Sequence, residues 1–258
     1  MANIAAETPG VSSKWIAAID LTSPGIIGGT TPNIGNFTTV NTQNTFGFKN
    51  RIINGGFIIN QRVYVSGTAL ASGAYAHDRW KAGASGCTYT FTQGASGVNT
   101  TITITAGSLQ QVIEGCNIPE GGTYALSWTG TAQARFNGGS YGPSPLAVTG
   151  ITAGANVKIE FNTGTVDRVQ IEVGSTATSF DVRDYGREMI MCQRYAESSS
   201  VWVSPAFDPL YYKASKRATP TVSGGGAGFS SGGVITTEQT YVLQTTGAFQ
   251  TLLFIAEL

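Results

Sequence analysis

Two stretches alternate apolar and polar residues with period two, CTYTFTQ at 87–93 and NTTITITAG at 99–107. Successive side chains of a strand point to opposite faces, so this period predicts half-buried strands. LQQVIEGC, GTYALSWTGTAQARF, PLAVTGITAG, NVKIEFNTG and TVDRVQIEVG follow at near-regular spacing. Turn signals separate them: QGASG, IPEGG, NGGSYG, TAGAN and NTG. The run RIINGGFIINQRVYV (51–65) reads as two more β-rich stretches around Gly55 and Gly56. Short strands with such turns predict a jelly-roll β-sandwich over residues 51–185.

The pattern changes on either side. In GREMIMCQRYAES (186–198), Met189, Cys192 and Tyr195 recur at spacing three, which predicts a short helix with one apolar face. VWVSPAFDPLYYKASKRATPTVS, VITTEQTYVLQTT and FQTLLFIAEL then predict a C-terminal β-region around the Gly-rich loop GGGAGFSSGG. The apolar tail TLLFIAEL is expected to be paired in a sheet. Residues 1–50 form a third part. SSKWIAAIDL (12–21) suits a helical turn or a strand. SPGIIGGTTPNIGNFTTVNTQ (23–43) holds too few large apolar residues to order itself. Three copies wrapped around one axis would bury Ile26, Ile27, Ile34, Phe37 and Val40, so a homotrimer is expected.

Composition sharpens this. Only 12% of the 258 residues are charged, with 15 Lys+Arg against 15 Asp+Glu. So few charges imply surface that is hidden, oligomerisation being the natural way, or covered by hydroxyls and amides. Zero net charge argues against nucleic acid or an anionic membrane as partner. No apolar run reaches transmembrane length, and no basic leader precedes an apolar run. Three cysteines, Cys87, Cys116 and Cys192, without a CxxC pair, are expected as buried, reduced thiols. His77 is the sole histidine and leaves no His-based metal site or triad. Asp181 and Asp184, three apart on an irregular segment, lack the fixed geometry of a glycosidase pair. No catalytic residue and no cofactor is expected.

VQIEVGSTATSFDVRDYGREMIMCQRY (169–195) gathers the densest charge in the chain. Asp181, Arg183, Asp184, Arg187, Glu188 and Arg194 suit a junction between two domains, fixing register within or between protomers.

Three stretches together resemble bacteriophage tail-fibre and receptor-binding proteins. These are IGGTTPNIGNFTTVNTQ, then NRIINGGFIINQR with AHDRWKAG (50–83), then 169–195 with KRATPTV and the final AEL. The sandwich also resembles jelly-roll carbohydrate-binding modules, through TYALSWTGTA and VQIEVGSTATSF. The resemblance implies a virion tail-fibre protein, assembled in the bacterial cytoplasm. Its N-terminal segment would attach to other tail or baseplate proteins, and its distal part would bind a surface glycan or outer-membrane receptor. It further implies the division 1–50 shaft, 51–185 sandwich and 186–258 C-terminal region. Such modules often hold a structural Ca²⁺, for which Asn54, Asp167 and Glu172 are conceivable donors. A hard cation wants six or more oxygens, and no dense acidic cluster is present, so no metal is expected.

A sugar receptor needs aromatic faces and planar polar groups. Loop positions offer Phe136, Asn137 and Tyr141, then Phe207, Tyr211 and Tyr212, then Phe229. Trp80, Trp128 and Trp202 are expected to pack inside. A purely structural connector and a polysaccharide-cleaving tailspike are the competing functions; small size and sparse carboxylates count against the latter.

Overall fold

The alternating runs pair with each other. CTYTF lies in β1 (Lys81–Phe91) and TITIT in β2 (Ile102–Ile113), joined antiparallel with Tyr89 opposite Ile104. LQQVI is the second half of β2 and not a separate strand. A 3-10 turn at Gly115–Asn117 leads to β3 (Gly122–Thr129), β4 (Ala134–Phe136), β5 (Leu146–Ile151), β6 (Val157–Phe161) and β7 (Gly164–Val173). The sheet runs β4-β6-β2-β7-β3-β5, with β1 on the other side of β2. The computed structural model describes residues 49–258 except 96, 204–207, 225–228, 231–238 and 245–247; side chains at 200–210 and 224–250 are also outside this set. The expected shaft at 1–50, including 12–21 and 23–43, lies almost wholly outside the described residues. These residues belong to one compact unit, Gln43–Leu258, and their architecture is all-β apart from one α-helix and the 3-10 turn.

Residues 157–173 bend this sheet around its core. β6 pairs with Leu109–Ile113, and the chain continues along β2 as the start of β7, with Val166 opposite Ile102. From Asp167 onward β7 pairs instead with β3. The change falls at Arg168, whose φ is +51°. A non-glycine residue in the left-handed region is uncommon and marks an imposed bend. Val166, Val169 and Ile171 keep facing the core on both sides of it. Trp80, Trp128, Phe57 and Phe161 fill the centre, as expected for the two tryptophans. The Trp80 ring lies 4.8 Å from Phe57, and its N–H donates to the Asn54 carbonyl at 2.9 Å.

The stretch expected as two strands around Gly55 and Gly56 is something else. Residues 50–80 hold only single bridges, at Leu70 and Tyr75. They fill the gap where β2 and β7 part. Arg51 N–H donates to Ile171 O, and Val169 N–H to Gly55 O. The Gln111 side chain pairs with both backbone groups of Ile53, at 3.1 and 2.8 Å, as a strand would. The Asn50 amide bonds Val169 O, Ile52 N and Ile171 N. The Asn54 amide bonds Ile59 twice and Asp78 O. Buried backbone groups must find partners, and here side-chain amides supply what a regular ladder would. Gly55 has no room for a Cβ, which would sit 2.2 Å from Val169 O.

The 169–195 stretch then secures this plug. The Arg183 guanidinium donates to the carbonyls of Asn50 and Ile52, and Glu188 accepts from Asn54 N–H. Asp184 is the N-cap of helix α1 (Tyr185–Gln193), accepting from Gly186 and Arg187 N–H, a favourable place for an anion. Cys192 and Tyr195 are buried against Ile53 and Ile59, and Met189 packs beside them. The expected helix is present, but its inward side also buries the polar Glu188 and Gln193, and Tyr195 lies just past its C-cap, Arg194.

Beyond α1 come β8 (Ala196–Val203), β9 (Asp208–Tyr211), β10 (Thr221–Gly224), β11 (Phe229–Ser230), β12 (Gln239–Gln244) and β13 (Ala248–Ile255). They form two three-stranded sheets, β10-β13-β8 and β11-β12-β9. The apolar tail is paired on both sides, as expected. Lys216 Nζ reaches Gln193 O at 2.6 Å, at the C-terminal end of α1, and pairs with Glu197 where both are buried.

Candidate functional site

The loop residues chosen as receptor contacts occupy different environments. β4 is paired to β6, so its alternation sends Ala134 and Phe136 inward and Arg135 outward. Phe136 is 7% exposed within the core and offers no face to a ligand. That is a correction to its reading as a loop aromatic. Asn137 is exposed at φ +46°, but its side-chain oxygen accepts from Lys158 N–H and closes the β4–β6 ladder. Tyr212 is half-buried: its ring meets Phe254 edge-on at 5.1 Å and the Lys216 ammonium at 4.7 Å. It therefore packs β13 rather than standing free as a stacking ring. Tyr211 is exposed. Phe207 and the Phe229 side chain lie outside the described residues.

Tyr141 is different. Its half-exposed ring takes the Arg135 guanidinium at 4.5 Å. Its hydroxyl is near enough to feel the Glu160 carboxylate electrostatically. The registers explain the meeting. Arg135, Glu160, Gln110 and Lys81 stand opposite one another across β4, β6, β2 and β1, on the face away from the core. Ser108 and Lys158 are two residues along on the same face, as period two requires. Ser108 Oγ donates to Glu160 at 2.6 Å, Arg135 donates to it at 3.0 and 3.1 Å, and Lys158 lies 3.8 Å away. A Cβ on Gly83 would come within 2.0 Å of Ser108 Oγ, so glycine there leaves room for the floor of the cluster.

Burial draws the Glu160 carboxyl upward, but Ser108, Arg135 and Lys158 together hold it below its ordinary value. Burial pushes the Tyr141 hydroxyl up, and Glu160 adds to that. Comparison with protein-family models, curated proteins and solved structures finds no match. The face therefore stands on its own geometry: one ring, one guanidinium, two ammoniums, two hydroxyls and a carboxylate. It can hydrogen-bond a polar ligand.

Glu160, Ser108, Lys158 and Gln110 were not singled out from the sequence. The signal was present, since VKIEF alternates and puts Lys158 and Glu160 together on its polar face. Alternation alone does not say which neighbouring strand brings Arg135 and Tyr141 to them.

The conceivable calcium donors do not assemble. The Asn54 amide is spent on Ile59 and Asp78 O. Asp167 accepts from Arg168 N–H and Thr101 Oγ1. Glu172 accepts from Gln170 and Thr178. Among the described residues no cluster of three acidic, His or Cys side chains could hold a metal. All three cysteines are free; Cys87 and Cys192 are buried as expected, whereas Cys116 is exposed on the 3-10 turn, a correction to its reading as a buried thiol.

Proposed function

We propose that this chain is the receptor-binding part of a bacteriophage tail fibre, a homotrimeric jelly-roll adhesin that grips a bacterial surface glycan without chemistry. The observation that carries the reading is the polar face where Tyr141, Arg135, Ser108, Lys158 and Glu160 meet. Sugars are recognised by ring faces and by planar or charged groups that bond hydroxyls, and this face combines both. The resemblance of 50–83 and 169–195 to tail-fibre proteins supports the virion setting. The non-catalytic reading is supported by Asp184, which caps α1, and by the Glu160 carboxylate, which is enclosed by Ser108, Arg135 and Lys158.

Tyr141→Ala tests the site. Loss of one stacking ring is worth on the order of 1 kcal/mol. Three sites on one trimer multiply a modest loss into clearly weaker cell adsorption. Host-cell adsorption should fall while the melting temperature stays near the parent's, because the ring lies on the face away from the core. Unchanged adsorption would reject the face as the receptor contact. Light scattering on the full chain checks the assembly: a mass three times 26.9 kDa is expected, and a stable monomer would overturn the trimer.

A further inference from the structure

The whole chain is neutral, but this face is not. Lys81, Arg135 and Lys158 stand on it; the carboxylate paired with Arg135 and Lys158 is Glu160, while Lys81 donates to Leu258 O at 2.8 Å and feels Glu257. The carboxylates are 5% and 4% exposed, whereas the Arg135 and Lys158 side chains are 29% and 38% exposed. Glu257 is already shared between two arginines, Arg62 and Arg79. Solvent, and any ligand, meets the cations first. Lys81 feels the same imbalance: its ammonium is held below its ordinary value first by burial, then by Arg79 and Lys158, with Glu257 opposing.

Resting on the glycan reading above, we infer that the ligand is an acidic saccharide, whose anionic group lies between Lys158 and Arg135 while a neighbouring sugar meets Tyr141. A neutral sugar would leave this surplus charge unanswered. An anion answers it with charge-assisted hydrogen bonds, which are about twice as strong as neutral ones. Glu160 holds the Nε and Nη2 side of Arg135, so a ligand carboxylate would take its remaining Nη donors, and the Lys158 ammonium can serve as a point charge for either a carboxylate or a phosphate.

The test uses the full-length chain on an array of bacterial surface saccharides sorted into uronate-bearing, phosphate-bearing and neutral members. Lys158→Gln is the variant. Its side chain is partly exposed, and the ladder bonds of residue 158 to Asn137 use only backbone atoms of Lys158. Binding to acidic members is expected, weakened about five- to tenfold by Lys158→Gln and by raised salt. The uronate and phosphate arms show which anion is taken. Equal binding to neutral members, unaffected by Lys158→Gln, would overturn the acidic ligand while leaving a glycan receptor standing. No binding to any member would overturn both. Should Lys158→Gln lower the melting temperature, Lys158→Arg, which keeps the charge, must restore acidic binding or the inference fails.

Discussion

Arg79→Ala is expected to destabilise the fold by about 3–5 kcal/mol, the usual cost of stripping one partner from a buried ion pair. The side chain is 1% exposed. Its guanidinium pairs with Glu257, donates to Val112 O at 2.7 Å and lies 3.6 Å from the Tyr195 ring centroid. Tyr195 in turn donates to Glu114 at 2.5 Å, and Glu114 accepts from Arg217. Removing Arg79 leaves Glu257 with Arg62 alone at 3.0 Å and opens a hole beside a buried ring. Chemical denaturation reads the loss. The double variant with Glu257→Ala should cost clearly less than the sum of the two single changes, because each removes the other's reason to be buried. Simple additivity would show that the two side chains do not act together.

The second large effect is a pH response hidden by compensation. Asp78 is enclosed by Gln61, Arg62 and Glu257; burial pushes its carboxyl from 3.8 up to about 6, against the pull of Arg62 and Gln61. His77, bonded to Tyr89 and Gln93, is pushed by burial from 6.5 down to about 4. Between pH 3.8 and 6 the folded chain keeps an Asp78 proton that the unfolded chain has released, so rising pH disfavours folding. Between pH 4 and 6.5 the unfolded chain holds a His77 proton that the folded chain lacks, so rising pH favours folding. Each contribution is on the order of 3 kcal/mol, with opposite sign. Relative to the parent, His77→Gln should therefore lose stability as pH rises from 4 to 6.5. Asp78→Asn should gain it. Profiles parallel to the parent's in both variants would mean that neither group changes its protonation on folding.

Much of the fold was legible where chemistry is local. Period two marked β1, β2 and the strands after them, and spacing three marked α1. The 50–65 segment was misread because Ile, Phe and Val there resemble strand residues, while its partners, Gln111, Arg183 and Glu188, lie at least 46 positions away in sequence. The positive φ values at Asn54, Phe57, Val63 and Arg79 also leave no trace in composition, because none of these is a glycine. The site was half legible. Tyr141 was found through its loop, but Phe136 was misassigned because the Gly-Gly after it hid the three-residue strand β4. Tyr212 reads as a loop residue until β13 is seen to bring Phe254 against it.

The segments 50–80 and 169–195 and the final Glu257 meet in one framework of long-range contacts. The contacts Arg79–Glu257 and Arg62–Glu257 join residues 178 and 195 positions apart. On the ribosome the Asn-Gly-Gly-Phe segment emerges early, yet its surroundings are complete only when residue 257 has left the exit tunnel. Closing such long loops precedes the gain from the contacts they allow, so maturation of this chain is set to be slow and to wait for residue 257 to emerge. During that interval the unsatisfied arginines and the uncovered β7 edge are open to mispairing with other nascent copies, and yield in a cell will depend on how long that interval lasts.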